Sequence, residues 1–569
     1  MSRTRYRLLP IVAVLVSGCS DPPPPTEDGS TGASSTGDDP TNPTPTTDAP
    51  METSEGSTGS VDSTGVDSTT SGSGSGTGVM DQQPPVIELL APRVGQMTPA
   101  RRVRLTGTAT DDTALLELVY VFGDSETSIP VADDGTFDAS VELSPGPNEA
   151  TLIARDEAGN EAEQGVDVYF GHRISVGNSQ SAFLRNGALL TWGRNELGQL
   201  GNGTLEGSGY GDDPVTSMLP VNYEIPVVDL LSVVTRQTFM IALRADGSVL
   251  TWGSNSDGQL GYPAENDCGS GGTSPCRREP TPVPGIAGAV AVAAGFRHSL
   301  VLLEDGTVLS FGENEEGQLG RDTMGASSMT PTAIAGLSDV IQVAAGSDCS
   351  LALTADGEVY AWGHNDYGQL GLGFADDPPH PEPTLVAGVE DVAELAAANT
   401  TVFARLHDGT ALTWGRNHTG QAGIEDETGD DVLVPVEVVA SDGMGSTELA
   451  NGLTNVVGDG FVGMALSPDA GVFAWGLGSL GQLGQGYLDD GSRDLEDRWV
   501  ASPVWVDPTI EALFDVIEIE VGAGGPGLAL TSTGDLFGWG WSFRGSLGLE
   551  GAIDAWAYSA PFLVLPADE

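Results

Sequence analysis

The sequence predicts an all-β chain, a seven-bladed β-propeller over residues 171–569 preceded by a small β-sandwich at 85–170 and a disordered linker at 20–84. Three observations predict it. An aromatic-Gly landmark recurs seven times, at Trp192, Trp252, Phe311, Trp362, Trp414, Trp475 and Trp539, with intervals of 60, 59, 51, 52, 61 and 64 residues. A fixed-period array of this kind means a solenoid or a closed ring. Before it lie six short apolar alternations separated by turn clusters, the pattern of a sandwich. Before those, residues 20–84 are almost entirely Ser, Thr, Gly, Pro, Asp and Glu.

The first 19 residues read as a processing segment. Arg3, Arg5 and Arg7 precede an apolar stretch from Leu8 to Val16, too short for a standard membrane-spanning helix. Its end, Val16-Ser17-Gly18-Cys19, resembles the lipobox of bacterial lipoproteins, which implies lipidation of Cys19 and anchoring to the cell envelope. An ordinary secretory signal with a chance Cys is the other reading. Ser20 leans the expectation toward the outer membrane or cell surface. The linker that follows has too little apolar surface to offset its conformational entropy, so disorder is expected, with a reach of about 50 Å as a flexible coil.

In the sandwich, strands are expected at 86–90, 102–108, 115–122, 136–142, 148–155 and 165–170. The stretches Thr108-Ala109-Thr110-Asp111-Asp112 and Ala154-Arg155-Asp156-Glu157-Ala158-Gly159-Asn160 resemble bacterial immunoglobulin-like modules, which implies a spacer. Asp111, Asp112 and Asp156 are of the type that ligates calcium and equally of the type that caps turns; both readings stand. No other cofactor is expected.

The clearest repeat copy runs Ala344-Ala345-Gly346, Ser350-Leu351-Ala352-Leu353, Asp356-Gly357, Val359-Tyr360-Ala361-Trp362-Gly363 and Gly368-Gln369-Leu370-Gly371. The apolar alternations form half-buried strands. Asp-Gly supplies the positive φ angles of a two-residue hairpin turn, and one Trp per repeat suits packing between blades. The Ala-Ala-Gly strand fits a crowded position beside a central channel. The pattern Asp-Gly-x-Val-x-x-Trp-Gly-x-Asn-x-x-Gly-Gln-Leu-Gly resembles the RCC1-type repeat of the regulator of chromosome condensation family, which implies a seven-bladed propeller. Departures are local: Phe311 for Trp, Ala422 and Ser546 within the Gln-Leu signature, and Ala470 in a turn. The final 560–565 segment is expected to complete the ring beside strands near 166–176.

Charge narrows the function. The chain has 81 acidic residues against 22 basic ones, a net charge of −59, and every basic residue is Arg. The absence of Lys excludes Schiff-base and phosphate-loop lysines, and the acidity argues against nucleic acid as a partner. Cys268 and Cys276 flank a short blade loop, at a spacing that suits a disulfide, with a metal site as the rival reading. Cys349 is expected to be a buried thiol. The six His show no metal-ligand spacing, and His298 is expected to be structural. Gly522-x-Gly524-x-x-Gly527 fits a dinucleotide fingerprint by letter only, since it precedes a strand and contains Pro526. No catalytic constellation is found, so a non-enzyme is expected.

Loops after Gly-Gln-Leu-Gly vary most in length and would gather on one face. They bring Glu425, Asp426, Asp430, Asp431, Asp489 and Asp490 beside the aromatics Tyr210, Phe374, Tyr487 and Trp499. Aromatic anchors in a polar rim form a protein-binding surface; solvated loops are the bland alternative. The leading expectation is a monomeric, lipid-anchored, non-catalytic platform for a protein or surface ligand, with cationic partners favoured. The resemblance also implies two alternatives, guanine-nucleotide exchange on a small GTPase and a secreted protein inhibitor of an enzyme.

Overall fold

A computed structural model describes residues 81–566, except 93–94, 113, 186–187, 206–214, 221–227, 269–271, 442–446, 450–451, 468–470, 487–493, 508–510, 514, 523–524, 542–545 and 548–557. Cys19 and most of the linker lie outside the described residues. Seven sheets follow one another along the chain, each with four strands in chain order from the axis outward; Glu265–Cys268 adds an outer strand to blade 2, and Val439–Ser441 and Thr447–Leu449 add two to blade 6. Blade 1 runs from Ile174–Val176 to Val215–Pro220, blade 2 from Leu230–Arg236 to Ser274–Pro282, and blade 3 from Ala289–Ala294 to Ser328–Ala333. Blade 4 runs from Val340–Ala345 to Asp376–Leu385, and blade 5 from Val392–Ala397 to Val432–Glu437. Blade 6 runs from Asn455–Asp459 to Arg498–Pro503, and blade 7 from Val516–Val521 to Tyr558–Leu565. The chain is therefore an all-β propeller, as the repeat predicts.

The ring closes differently from the expectation. The C-terminal strand Tyr558–Leu565 pairs with Leu536–Gly540 as the outer strand of blade 7, not with residues near 166–176. The reason is geometric. Glu161–Phe170 already pairs along its whole length with Gly146–Asp156 in the sandwich, and its last three residues pair on their other side with Gln96–Thr98. Blades 7 and 1 share no strand; side chains close the seam.

One contact recurs around the ring. The Trp indole of one blade donates to the carbonyl of the Gln, or its substitute, in the Gly-Gln-Leu-Gly turn of the blade before it. The pairs are Trp252 to Gln199 at 2.9 Å, Trp362 to Gln318 at 3.0 Å, Trp414 to Gln369 at 3.0 Å, Trp475 to Gln421 at 3.0 Å and Trp539 to Gln482 at 2.9 Å. Trp192 closes the ring on Ser546 at 2.8 Å. The last Gly of the turn is required twice over: Gly371 has φ +69°, and a Cβ there would stand 3.0 Å from the Trp414 Nε1. Phe311 has no N–H, and the Ser299 hydroxyl donates to the Gln259 carbonyl in its place at 2.9 Å.

The sandwich consists of two sheets. One orders Val86–Ala91, Arg102–Thr110 and Thr136–Glu142; the other orders Gln96–Thr98, Glu161–Phe170, Gly146–Asp156, Leu115–Phe122 and Ser125–Ile129. The six expected strands are present, and Gln96–Thr98 and Ser125–Ile129 are additional. Sandwich and propeller belong to one compact unit. Their apolar clusters are continuous, joining Leu105, Leu118 and Phe170 to Val290, Val340 and Val343 of the ring. The Arg101 N–H donates to the Ile341 carbonyl at 3.0 Å, the Tyr169 hydroxyl to that of Leu231 at 2.8 Å, and the Gln96 amide to that of Thr454 at 3.2 Å. All three acceptors lie at or just before the starts of inner strands, so the sandwich sits on the face that carries the Asp-Gly turns.

The axial channel is a cavity of about 100 Å³ walled by the inner strands. Met97, Thr98 and Pro99 of the sandwich line one end. Toward the other end, the Arg236 side chain crosses the bore, donating to the Ala345 and Ala397 carbonyls at 3.4 and 2.8 Å and pairing with the buried Asp459 carboxylate.

Two outcomes follow. Trp414→Phe should lower stability by about 1–3 kcal/mol in urea denaturation, because it strands the buried Gln369 carbonyl. Trp362→Phe should cost clearly less, because the Ser350 hydroxyl still donates to the Gln318 carbonyl at 2.9 Å, whereas blade 5 has Val402 at that register. Asp459→Asn should cost about 3–5 kcal/mol by the same measurement, since it leaves the Arg236 guanidinium buried without a counter-charge.

Candidate interaction face

Strand direction places the Gly-Gln-Leu-Gly turns and the loops after them on the face opposite the sandwich. The turns themselves are rigid. Asn365 Oδ1 accepts the Leu370 N–H at 3.1 Å, and Gln369 Oε1 accepts that of Tyr367 at 3.0 Å. Asn195, Asn255, Asn314 and Asn417 repeat the first bond at 3.0, 3.0, 2.8 and 3.0 Å. Four sequence-predicted acids, Glu425, Asp426, Asp430 and Asp431, lie together in the blade 5 loop, the first three exposed. Asp431 is half-buried; burial raises its carboxyl above the usual range, against the pull of His418 at 3.3 Å. Phe374 is 45% exposed, its ring 6.0 Å from that of His380. His380 Nε2 lies 2.8 Å from Asp376 and lowers that carboxyl. Trp499 lies half-buried over the Gly420 turn. Tyr210, Tyr487, Asp489 and Asp490 lie outside the described residues.

The sequence reading missed the most ordered part of this face. The Arg416 guanidinium is stacked between the rings of Tyr367 at 4.8 Å and Phe461 at 5.3 Å, and its Nε donates to His418 Nδ1 at 3.2 Å. These residues come from blades 4, 5 and 6, so no local pattern could join them. Nearer the axis, Glu313 is pushed up to about 6 by burial, against Arg297 at 2.9 Å and with help from Asp348 and Asp257. The face therefore offers aromatic surface, one clamped cation and a surplus of carboxylates.

Other predicted residues fall elsewhere. Cys268 and Cys276 are joined as a disulfide, with Cα atoms 6.0 Å apart, and are buried in the outer hairpin of blade 2. Cys349 begins the second strand of blade 4 rather than the innermost one, and burial pushes its thiol up to about 12. His298 Nε2 is 2.9 Å from the Ser350 hydroxyl, bridging blades 3 and 4, and burial followed by the charge of Arg236 pushes it down to about 3. Of the calcium-type acids, Asp111 and Asp156 gather with Asp81, their ligand-type oxygens within 4.8 Å of one another, and Asp112 lies beside Asp81 and Asp111. Asp112 accepts the Gln83 amide at 3.2 Å. Asp81 is brought in because the Asn160 amide donates to the carbonyls of Asp81 and Gln83 at 3.3 and 3.1 Å.

Comparison with known proteins agrees with this architecture. The sequence model of the RCC1-like domain matches residues 141–457, and that of glucodextranase domain B matches residues 85–171. The ultraviolet-B receptor UVR8 of Arabidopsis thaliana is 29% identical over 388 residues, covering 67% of this chain and 79% of the receptor. Protein pim1 of Schizosaccharomyces pombe is 28% identical over 414 residues, covering 68% of this chain and 72% of pim1. The crystal structure of human WBSCR16 superposes with a TM-score of 0.53 at 27% identity, over 66% of this chain and 94% of that one. Yeast RCC1 (Prp20), solved bound to Kap60, gives a TM-score of 0.53 at 20% identity over 68% of this chain and 85% of its own, a likeness of fold. With the family match covering more than half of the chain and the Trp-to-turn seams around the ring, the chain belongs to the RCC1-like domain family.

Proposed function

We propose that this protein is an exported, lipid-anchored, non-catalytic platform that binds a protein partner through the loop face opposite its sandwich. One observation carries the reading. The sandwich occupies the Asp-Gly-turn face and lines one end of the channel, so the exposed acids and aromatics at Phe374, Glu425, Asp426, Asp430 and Phe461 are left to solvent on the other. Carboxylates around ring faces favour a partner with a basic patch and speed its approach at low salt. The related Prp20 was crystallised bound to Kap60, which supports protein binding as a use of this fold. A non-catalytic role is supported by Cys349, whose thiol burial drives away from the reactive thiolate. Export and anchoring rest on the Arg3–Arg7 segment and the lipobox-like Val16-Ser17-Gly18-Cys19.

The face is tested with the chain from residue 20 onward, sandwich included, and a cross-linked partner. Replacing Glu425, Asp426, Glu427 and Asp430 by their amides should weaken binding by about tenfold and flatten its salt dependence, at a few tenths of a kcal/mol per exposed charge. Equal affinity would remove the acidic loop from the reading. Nucleotide release from a co-purified GTPase would favour exchange instead. For the anchor, Cys19→Ala should move the protein from the detergent phase to the aqueous phase in detergent partitioning; unchanged partitioning would remove lipidation at Cys19.

A further inference from the structure

Among the described residues, inner strands of neighbouring blades form no ladder with one another, and at three seams a glutamine or glutamate at one register position of the inner strand reaches across. In blade 4, Gln342 donates its amide to the Leu395 carbonyl at 2.7 Å and accepts the Leu395 N–H at 2.9 Å. In blade 5, Glu394 accepts the Asn455 amide and is held by Arg405 at 3.0 Å. In blade 7, Glu518 Oε1 accepts the N–H groups of Arg173 and Ile174 in blade 1, at 2.8 and 3.1 Å. The three staples differ in charge compensation. Gln342 carries none to compensate, and Glu394 has a hydrogen-bonded arginine. Glu518 has only Arg173 Nε, 3.8 Å from its Oε2, and neither atom makes a hydrogen bond.

Two residues on, Glu520 faces the channel cavity with His172 Nδ1 3.6 Å away. This seam is also where the first and last blades meet without sharing a strand. We propose that the blade 7–blade 1 seam is a pH-sensitive latch, closed while Glu518 and Glu520 hold their protons and loosened when both carboxyls ionise.

The surroundings favour this behaviour. Facing Glu518 are Arg173 from blade 1, Tyr169 from the sandwich and Glu520 from its own strand. Facing Glu520 are His172 from blade 1, Arg236 from blade 2 and Asp459 from blade 6. Burial pushes Glu518 up to about 7, against Arg173. It pushes Glu520 up to about 8, against Arg236 and aided by Glu518 and Asp459. His172 is pushed down to about 4 by burial and then by Arg236, so it supplies no positive charge at neutral pH. Both acids lie above their ordinary 4.5 in the closed ring, so the closed state binds protons more tightly than an opened one. The stabilisation is complete below the ordinary range and is lost as pH climbs through about 7 and 8. Burial raises Glu394 too, against Arg405 and Asn455, but hydrogen bonds to both partners hold that staple at the blade 5–blade 6 seam, whereas Glu518 Oε2 has no such bond.

The test is hydrogen–deuterium exchange on the full mature chain at pH 6 and pH 9, corrected for intrinsic exchange chemistry. Protection in Val516–Val521 and Ile174–Val176 should fall by about tenfold or more relative to Val340–Ala345. Glu518→Gln, which imitates Gln342, should abolish most of that fall. Should that variant fold poorly, Glu520→Gln, facing the cavity, should still reduce it. A loss of protection spread evenly over all seven inner strands, or one unchanged in Glu520→Gln, overturns the latch.

Discussion

The ring stands on a single recurring interaction, the buried indole N–H of one blade held by a turn carbonyl of the blade before it. The inner strands form no ladder with their neighbours, so backbone hydrogen bonds between blades are isolated ones, as from the Phe296 N–H to the Ser347 carbonyl at 3.0 Å and from the Ser347 N–H to the Asn399 carbonyl at 2.9 Å. What joins the blades is apolar packing, oriented by this recurring bond and, at several seams, by further side-chain bonds such as Gln342 to Leu395 and His298 to Ser350. A buried carbonyl without a donor is costly, so the indole and the Gly-Gln-Leu-Gly turn constrain each other. The turn must bring its carbonyl to the indole, and its last residue must lack a Cβ to let the ring approach. This explains why Trp and Gly persist where neighbouring positions drift, and why Phe311 coexists with a serine that takes over the donation.

Much of this was legible because it is local and repeated. Seven copies of an aromatic-Gly pair, six with Trp and one with Phe311, fix blade number, and Asp-Gly fixes which strands form hairpins. The C-terminal strand was misplaced for the opposite reason. Its apolar pattern says that it is a strand but not which edge it joins, and the alternative edge at 161–170 was already occupied in the sandwich. Ser125–Ile129 escaped notice because its first four residues are exposed on both faces and show no alternation. At the candidate face, charge was readable loop by loop. The Tyr367–Arg416–Phe461 stack was not, since its members meet only when three blades are set side by side.

The sandwich is more than a spacer in this arrangement. Its Met97-Thr98-Pro99 segment lines one end of the channel, its apolar residues continue the core of the ring, and its backbone and side chains bond to the starts of inner strands in blades 2 and 4 and to the segment before that of blade 6. Capping one face makes the propeller asymmetric: one side is structural interior, the other is the surface that varies in loop length. The acids left in the bore, Glu394, Glu518 and Glu520, are then enclosed between the cap and the crossing Arg236, where each charge depends on its neighbours rather than on solvent.

Closure without a shared strand also bears on how the chain is made. Trp192 of the first blade finds its acceptor at Ser546, 354 residues later. Until the last blade has been synthesised, the flank of blade 1 carries an uncovered indole and an apolar surface with nothing to pack on. A chain that stops early cannot hide this flank, because no earlier strand can stand in for blade 7. Completeness of the polypeptide is thus written onto its surface, and a truncated product advertises itself to the proteases and chaperones that recognise exposed apolar side chains.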